Sequence, residues 1–186
     1  MLVYAHGFAI RQGTAEHVHV ELDVRAGLPC FAVIGLVGSA ARDARERVQA
    51  AVLNSGFTFP RRRLTANLTP AVASGGGPAF DLALACCVLA AQEQVDALRL
   101  ARVGLFAELG LGGDLRPCAS AAVAAQVARA AGLDAMIVAP ANLGEARAAG
   151  PPSVLGGRHL RDVAALLSSR ADRGARASEC PPRAAS

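Results

Sequence analysis

The chain has 186 residues, enough for one full hydrophobic core, and 53% of them are apolar while only 4% are aromatic. That balance suits an α/β domain packed with Ala, Val and Leu and excludes a disordered protein. All 19 basic residues are arginines and the net charge is +4, a mild surplus that permits nucleic-acid contact without requiring it.

Residues 2–10 form a short apolar segment with strand character. Residues 17–25 (HVHVELDVR) alternate polar and apolar strictly, the period of a strand with one wet face. A turn at Ala26-Gly27-Leu28-Pro29 leads into Cys30–Leu36 (CFAVIGL), predicted to be a more buried third strand. Ser39 is placed as an N-cap, and Ala44, Val48, Ala51 and Val52 recur behind it at helical spacing. Asn54-Ser55-Gly56 ends that helix, with Gly56 as the left-handed terminal residue. Residues 63–69 (RLTANLT) alternate as a strand, and Pro70 with Ser74-Gly75-Gly76-Gly77-Pro78 makes a flexible loop. Phe80–Gln92 is almost wholly apolar and is predicted to be a buried helix. A strand over residues 102–109, a glycine-rich turn over Gly110–Asp114 and a return over Leu115–Cys118 follow. The remainder reads as helix Ser120–Ala131 closed by Gly132, strand Ala135–Ala139, helix Asn142–Ala149, strand Ser153–Leu155 and helix His159–Ser168. Strands first and then strand–helix alternation make one α/β domain with a mixed sheet over residues 1–168. Residues 169–186, rich in Arg and Pro, are expected to be a disordered tail.

The five cysteines, Cys30, Cys86, Cys87, Cys118 and Cys180, show no C-x-x-C spacing. They read as small hydrophobes, not as a disulfide framework or a zinc site. The start lacks the basic n-region of a signal peptide, and no apolar run reaches the roughly 18 residues that cross a bilayer. A cytoplasmic protein without membrane partners is the expectation.

Asn54–Ala71 (NSGFTFPRRRLTANLTPA) is the most informative stretch: a helix ends, a Gly-Phe-x-Phe-Pro linker turns, three arginines follow, and a strand delivers Asn67-Leu68-Thr69-Pro70. It resembles the N-terminal domain of the magnesium-chelatase subunit I-like AAA+ proteins, the ComM/YifB group. Gly27-Leu28-Pro29 with Val33-Ile34-Gly35-Leu36, Ala44–Val48, Ala79–Leu82 and Glu108–Pro117 match further segments of that family in the right order. The resemblance covers about residues 1–168. It implies the fold of the Lon protease domain, shared with GHMP kinases and one ribosomal-protein domain, the S-five domain-two-like fold. It also implies a hexameric ATPase in the complete protein, acting on DNA in recombination and natural transformation.

Two chemistries belonging to that resemblance can be checked against the residues. A Lon-type protease uses a serine whose proton passes to a lysine. Carried onto Gly76–Asp81 and Ala119–Val123, the Lon pattern puts Ala79 at the serine and Ala122 near the lysine. An AAA+ module needs G-x-x-x-x-G-K-[ST], and this sequence contains no lysine. Gly75-Gly76-Gly77-Pro78 has the glycines of a phosphate loop without its lysine, and reads as a turn before a buried helix. The expectation is a chain without catalytic residues or a cofactor of its own, ATP and Mg²⁺ belonging only to the family's AAA+ module.

The remaining candidates are weaker. Arg61, Arg62 and Arg63 are the sharpest basic cluster: three guanidiniums for DNA phosphates, or a solvated loop entering a strand. Arg42, Arg45 and Arg47 have Asp43 and Glu46 beside them, as on a self-neutralised helix face. His17 and His19 share one face of a strand; with no third ligand apparent, a solvent-facing pair is expected and no metal site. Asp81 is expected to serve a helix N-terminus, and Ser120 to have a helix-terminal role and not a nucleophilic one. Phe57 and Phe59 are either an exposed patch for a partner or staples under the linker. Three functional readings result: a non-catalytic N-domain of a ComM-like AAA+ protein, a free-standing arginine-based nucleic-acid-binding domain, and an inert truncated remnant. The possible partners are DNA, an AAA+ module or further copies of the chain.

Overall fold

The strict alternation of the second segment becomes the spine of the molecule. In the computed structural model, which describes residues 1–72, 79–151 and 153–168, β1 (Leu2–Arg11) and β2 (Thr14–Arg25) pair antiparallel along their whole length. The two-residue turn between them has Gln12 and Gly13 both at positive φ, +47° and +80°, the turn whose twist matches a hairpin. Val18, Val20, Leu22 and Val24 of β2 are buried on one face, while His17, His19, Glu21 and Asp23 lie on the other.

The hairpin sits in a seven-stranded mixed sheet of order β3-β4-β2-β1-β5-β8-β9. β3 is Cys30–Leu36, β4 Arg63–Val72, β5 Val103–Phe106, β8 Ala135–Val138 and β9 Ser153–Gly156. β2 and β4 pair antiparallel; β3 with β4, β1 with β5, and β5, β8 and β9 in succession pair parallel. The strands β6 (Glu108–Leu109) and β7 (Leu115–Arg116) form a separate hairpin.

Helices α1 (Ala40–Asn54), α2 (Asp81–Ala91), α3 (Ala97–Leu100) and α6 (Leu160–Ser168) close over one face of the sheet in a single apolar cluster. α4 (Ala121–Ala130) and α5 (Leu143–Ala149, entered through a 3-10 turn at Pro140–Asn142) cover the other face from β9 across to β1 and the start of β2. There they pack on Phe8, Phe106, Met136, Val138 and Val154. The β2-β4 part of that face keeps its polar side chains half-exposed, with Glu21, Asp23, Thr65 and Asn67 around a shallow depression of about 460 Å³.

Most of the expected elements form, and the departures have physical reasons. β3 is an edge strand bonded only to β4, so Cys30 and Ile34 are exposed and not buried. Gly35 within it has φ +92°, and a Cβ there would lie 2.5 Å from the Leu68 carbonyl oxygen; it marks the register shift between Ile34 and Leu36. Ser39 precedes α1 but makes no side-chain capping bond. Pro70 lies inside β4, not in the loop, while the expected glycine loop over 74–78 falls outside the described residues, as does the predicted disordered tail over 169–186. The strand expected over 102–109 breaks at Ala107, where the chain leaves the main sheet for the β6-β7 hairpin. The short α3 was not expected; Asp96 caps it, its carboxylate accepting from the Leu98 and Arg99 amides.

Candidate functional site

The Asn54-Ser55-Gly56 segment ends α1 and ties three elements together. Asn54 donates to the Leu111 carbonyl at 2.9 Å in the β6-β7 turn, and Arg161 of α6 donates to the Ser55 carbonyl at 2.9 Å. Gly56 takes φ +82° as expected. Phe57 and Phe59 are half-buried against the main core, Phe59 meeting Phe31 of β3 with ring centroids 5.7 Å apart. Of their two readings, the staple is the one realised.

Next to this junction, the N-terminal end of α2 holds the charged centre of the molecule. Asp81 is completely buried, and its Oδ2 accepts from Arg47 Nε of α1 at 2.6 Å. Its Oδ1 is also buried and finds no hydrogen-bond partner among the described residues. Burial pushes the Asp81 carboxyl up to about 6; the Arg47 guanidinium opposes that rise and Glu108 of β6 adds to it. Asp81 stands in the first turn of α2, as expected of a carboxylate at a helix N-terminus, and the structure adds a cation 34 residues away in sequence that pairs with it there. The expected self-neutralised face of α1 is corrected, because the three arginines diverge. Arg42 stays near Asp43 at 3.7 Å in solvent, Arg45 donates to the Phe31 carbonyl at 3.1 Å, and Arg47 turns inward.

The positions matched to a serine–lysine dyad lie at the entry to α2 and on α4, helices on opposite faces of the sheet. Ala79 is buried just before α2, in the same apolar cluster as Ala121, Ala124 and Ala125 of α4. Ala122 is half-buried one residue into α4. Ser120, at the entry to α4, has a left-handed backbone with φ +65°. Cys118 is nearby; its backbone amide and carbonyl are both held by the buried Asn142 side chain, at 3.0 and 2.9 Å. Burial raises the Cys118 thiol to about 11, so at neutral pH it is protonated and poorly nucleophilic. The same cause raises the Cys86 and Cys87 thiols. Cys30, Cys86, Cys87 and Cys118 are all free.

The three consecutive arginines are exposed but do not share one surface. Arg61 and Arg62 border a groove of about 340 Å³ with Phe31, Gln49, Leu53 and Phe59. Arg63, the first residue of β4, lies opposite Arg25 and Cys30 in the sheet, and borders the polar depression with Arg25, Asp23 and Asn67. None of the three joins an ion pair among the described residues.

His17 and His19 were expected as a pair without a third ligand, and here the structure differs. The hairpin register places His6 of β1 directly opposite His19, and the three imidazoles form one cluster on the α4 side of the sheet. The signal for His6 was present: a two-residue turn at Gln12-Gly13 fixes the pairing, and residues 6 and 19 then face one another.

No helix among the described residues is long and apolar enough to cross a membrane. The chain matches the family described as subunit ChlI of Mg-chelatase over residues 20–142. It is 37% identical over 163 residues to an uncharacterized protein of Mycobacterium tuberculosis, covering 88% of this chain and 32% of that protein. It is 35% identical to the YifB protein of Escherichia coli (84% of this chain, 31% of YifB). It is 33% identical to the competence protein ComM of Haemophilus influenzae (84% of this chain, 30% of ComM). The chain thus spans about a third of the length of the curated relatives it matches. With the match extending over most of the domain and including the Asn54–Ala71 segment, the chain belongs to the magnesium-chelatase ChlI family and is a relative of YifB and ComM.

Proposed function

We propose that the chain is the N-terminal, non-catalytic domain of a ComM-like, magnesium-chelatase-like AAA+ protein, with a degenerate Lon-type fold, acting as a docking or DNA-engaging module. The observation that carries this reading is alanine at both dyad positions: Ala79 is buried against the α4 cluster and Ala122 stands on α4 itself. A methyl group offers neither nucleophile nor base, and no lysine in the sequence can replace one or cradle a nucleotide phosphate. ATP hydrolysis, with its Mg²⁺, would then come from an AAA+ module, and the domain would contribute position. Relatives about three times as long, one of them a competence protein, support assigning it to ATP-dependent DNA processing.

A second reading, direct binding of nucleic acid, is favoured by Arg61 and Arg62 beside the half-buried Phe31 and Phe59 in one groove. Phosphate-contacting guanidiniums weaken with salt and read no sequence. Fluorescence anisotropy with a labelled single-stranded and a duplex oligonucleotide, titrated over salt, tests this reading. A DNA-engaging surface predicts binding that falls steeply with salt and a shallower slope in the Arg61→Ala/Arg62→Ala variant. Identical titration curves for the two proteins would exclude this groove as the contact. ATPase stimulation of a ComM-type AAA+ module by the chain would distinguish the docking role.

A further inference from the structure

The three histidines outside the charged centre satisfy conditions that neither the family match nor the proposed role uses. His6, His17 and His19 come from the two strands of one tightly turned hairpin, so their backbones are fixed by the sheet and not by a loop. Their nearest ring nitrogens all lie within 4.8 Å of one another. His17 Nε2 is 3.0 Å from His6 Nδ1, a few tenths of an ångström short of the ~3.3–3.4 Å between two nitrogens that each stand ~2.0–2.1 Å from one tetrahedral ion. The outer contacts are also in place. His6 Nε2 is 3.0 Å from the Ala101 carbonyl oxygen, which fixes the proton on Nε2 and leaves the Nδ1 lone pair directed at the cluster. The Phe8 ring lies against His17 at 5.5 Å and 18° and holds its plane. His6 and His17 are half-buried while His19 is exposed, so solvent reaches the cluster from one side.

From this geometry we infer that His6, His17 and His19 form a site for a divalent transition-metal ion of borderline softness, zinc being the reference ion, with at least one coordination position open to solvent. Three imidazoles without a carboxylate suit Zn²⁺, Co²⁺, Ni²⁺ or Cu²⁺ and not Mg²⁺ or Ca²⁺, which require oxygen ligands. On binding, His6 coordinates through Nδ1 and His17 through Nε2. The proton that His17 Nε2 donates to His6 Nδ1 in the metal-free hairpin is given up and one is taken at His17 Nδ1 by exchange with solvent, so that the ring stays neutral as it ligates. The inference is independent of the docking role: a domain that never touches DNA or an AAA+ module would still carry this site.

Isothermal titration with Zn²⁺, and visible absorption with Co²⁺, on the full chain under reducing conditions tests it. The expected result is one ion per chain, Co²⁺ bands of a four- or five-coordinate nitrogen site, and affinity reduced about tenfold or more by His19→Ala. His19 is exposed, so its removal leaves the fold intact even where His6→Ala or His17→Ala would not. His159→Ala, a histidine bonded to the Gly112 carbonyl away from the cluster, is expected to bind as the parent does. Binding unaffected by His19→Ala, binding abolished by His159→Ala, thiolate charge-transfer bands from a cysteine, or one ion shared by two chains would each overturn the site. Failure of the parent to bind either ion more tightly than the His6→Ala/His17→Ala/His19→Ala variant would do the same.

Discussion

The helices α2 and α4 are both rich in alanine, flank the same sheet, and have opposite surroundings. All eleven residues of α2 are buried, between β1 and β2 on one side and α1, α3 and α6 on the other. In α4 only Ala121, Ala124, Ala125 and Ala128 are buried, while Gln126, Arg129 and Ala130 face solvent. The difference shows in the sequence as loss of amphipathic pattern: α2 is apolar all round, and α4 keeps a stripe. Its consequence concerns charge. In α2 the sole ionisable carboxylate, Asp81, requires Arg47 of a neighbouring helix, whereas Arg129 near the end of α4 stays hydrated and favours the helix C-terminus. Of the two alanines that the Lon pattern matches to a serine and a lysine, Ala79 at the α2 entry is buried in an apolar cluster, while Ala122 on α4 is half-buried.

The contrast breaks first at the centre of α2. Leu84→Ala removes a fully buried side chain from the main core and is expected to cost about 2–5 kcal/mol in urea unfolding. A loss below about 1 kcal/mol would mean that α2 is far less tightly enclosed than it looks.

A smaller effect isolates Asp81. Its carboxyl releases its proton near 3.8 in the unfolded chain and at about 6 in the folded one. The folded state therefore binds more protons between those values, and the Asp81 contribution to stability declines as pH rises through that window. His6 and His17, shifted downward by burial, act in the opposite sense below pH ~6.5, so the test is a difference. Unfolding free energies of the parent and Asp81→Asn, measured from pH 4 to 7.5, should diverge by about 1–3 kcal/mol across the window. Parallel curves would show that Asp81 titrates normally. Smallest of all, Gln126→Ala on the exposed side of α4 should change stability by less than about 0.5 kcal/mol. A larger loss would mean that a partner element covers that face.

Local pattern carried much of this architecture. The polar–apolar alternation of residues 17–25, the unbroken apolar run of α2, the stop at Asn54-Ser55-Gly56 and the turn over Gly110–Asp114 each fixed an element from neighbours a few residues apart. The family segment Asn54–Ala71 was legible for the same reason, as contiguous residues at the α1–β4 connection. What the tertiary structure decided depends on pairs distant in the chain. β3 is exposed because strand order made it an edge, a property of the sheet and not of the apolar string CFAVIGL. Arg47 and Asp81 meet because α1 and α2 share one face of the sheet, and nothing within either helix announces it. Arg61–Arg63 separate because Arg63 enters β4 while Arg61 and Arg62 remain in the connection before it. The histidine cluster lies between these cases. Its residue types stood in the sequence, but the pairing of His6 with His19 depends on the tight turn at Gln12-Gly13, and a one-residue change of register would have sent His6 to the opposite face.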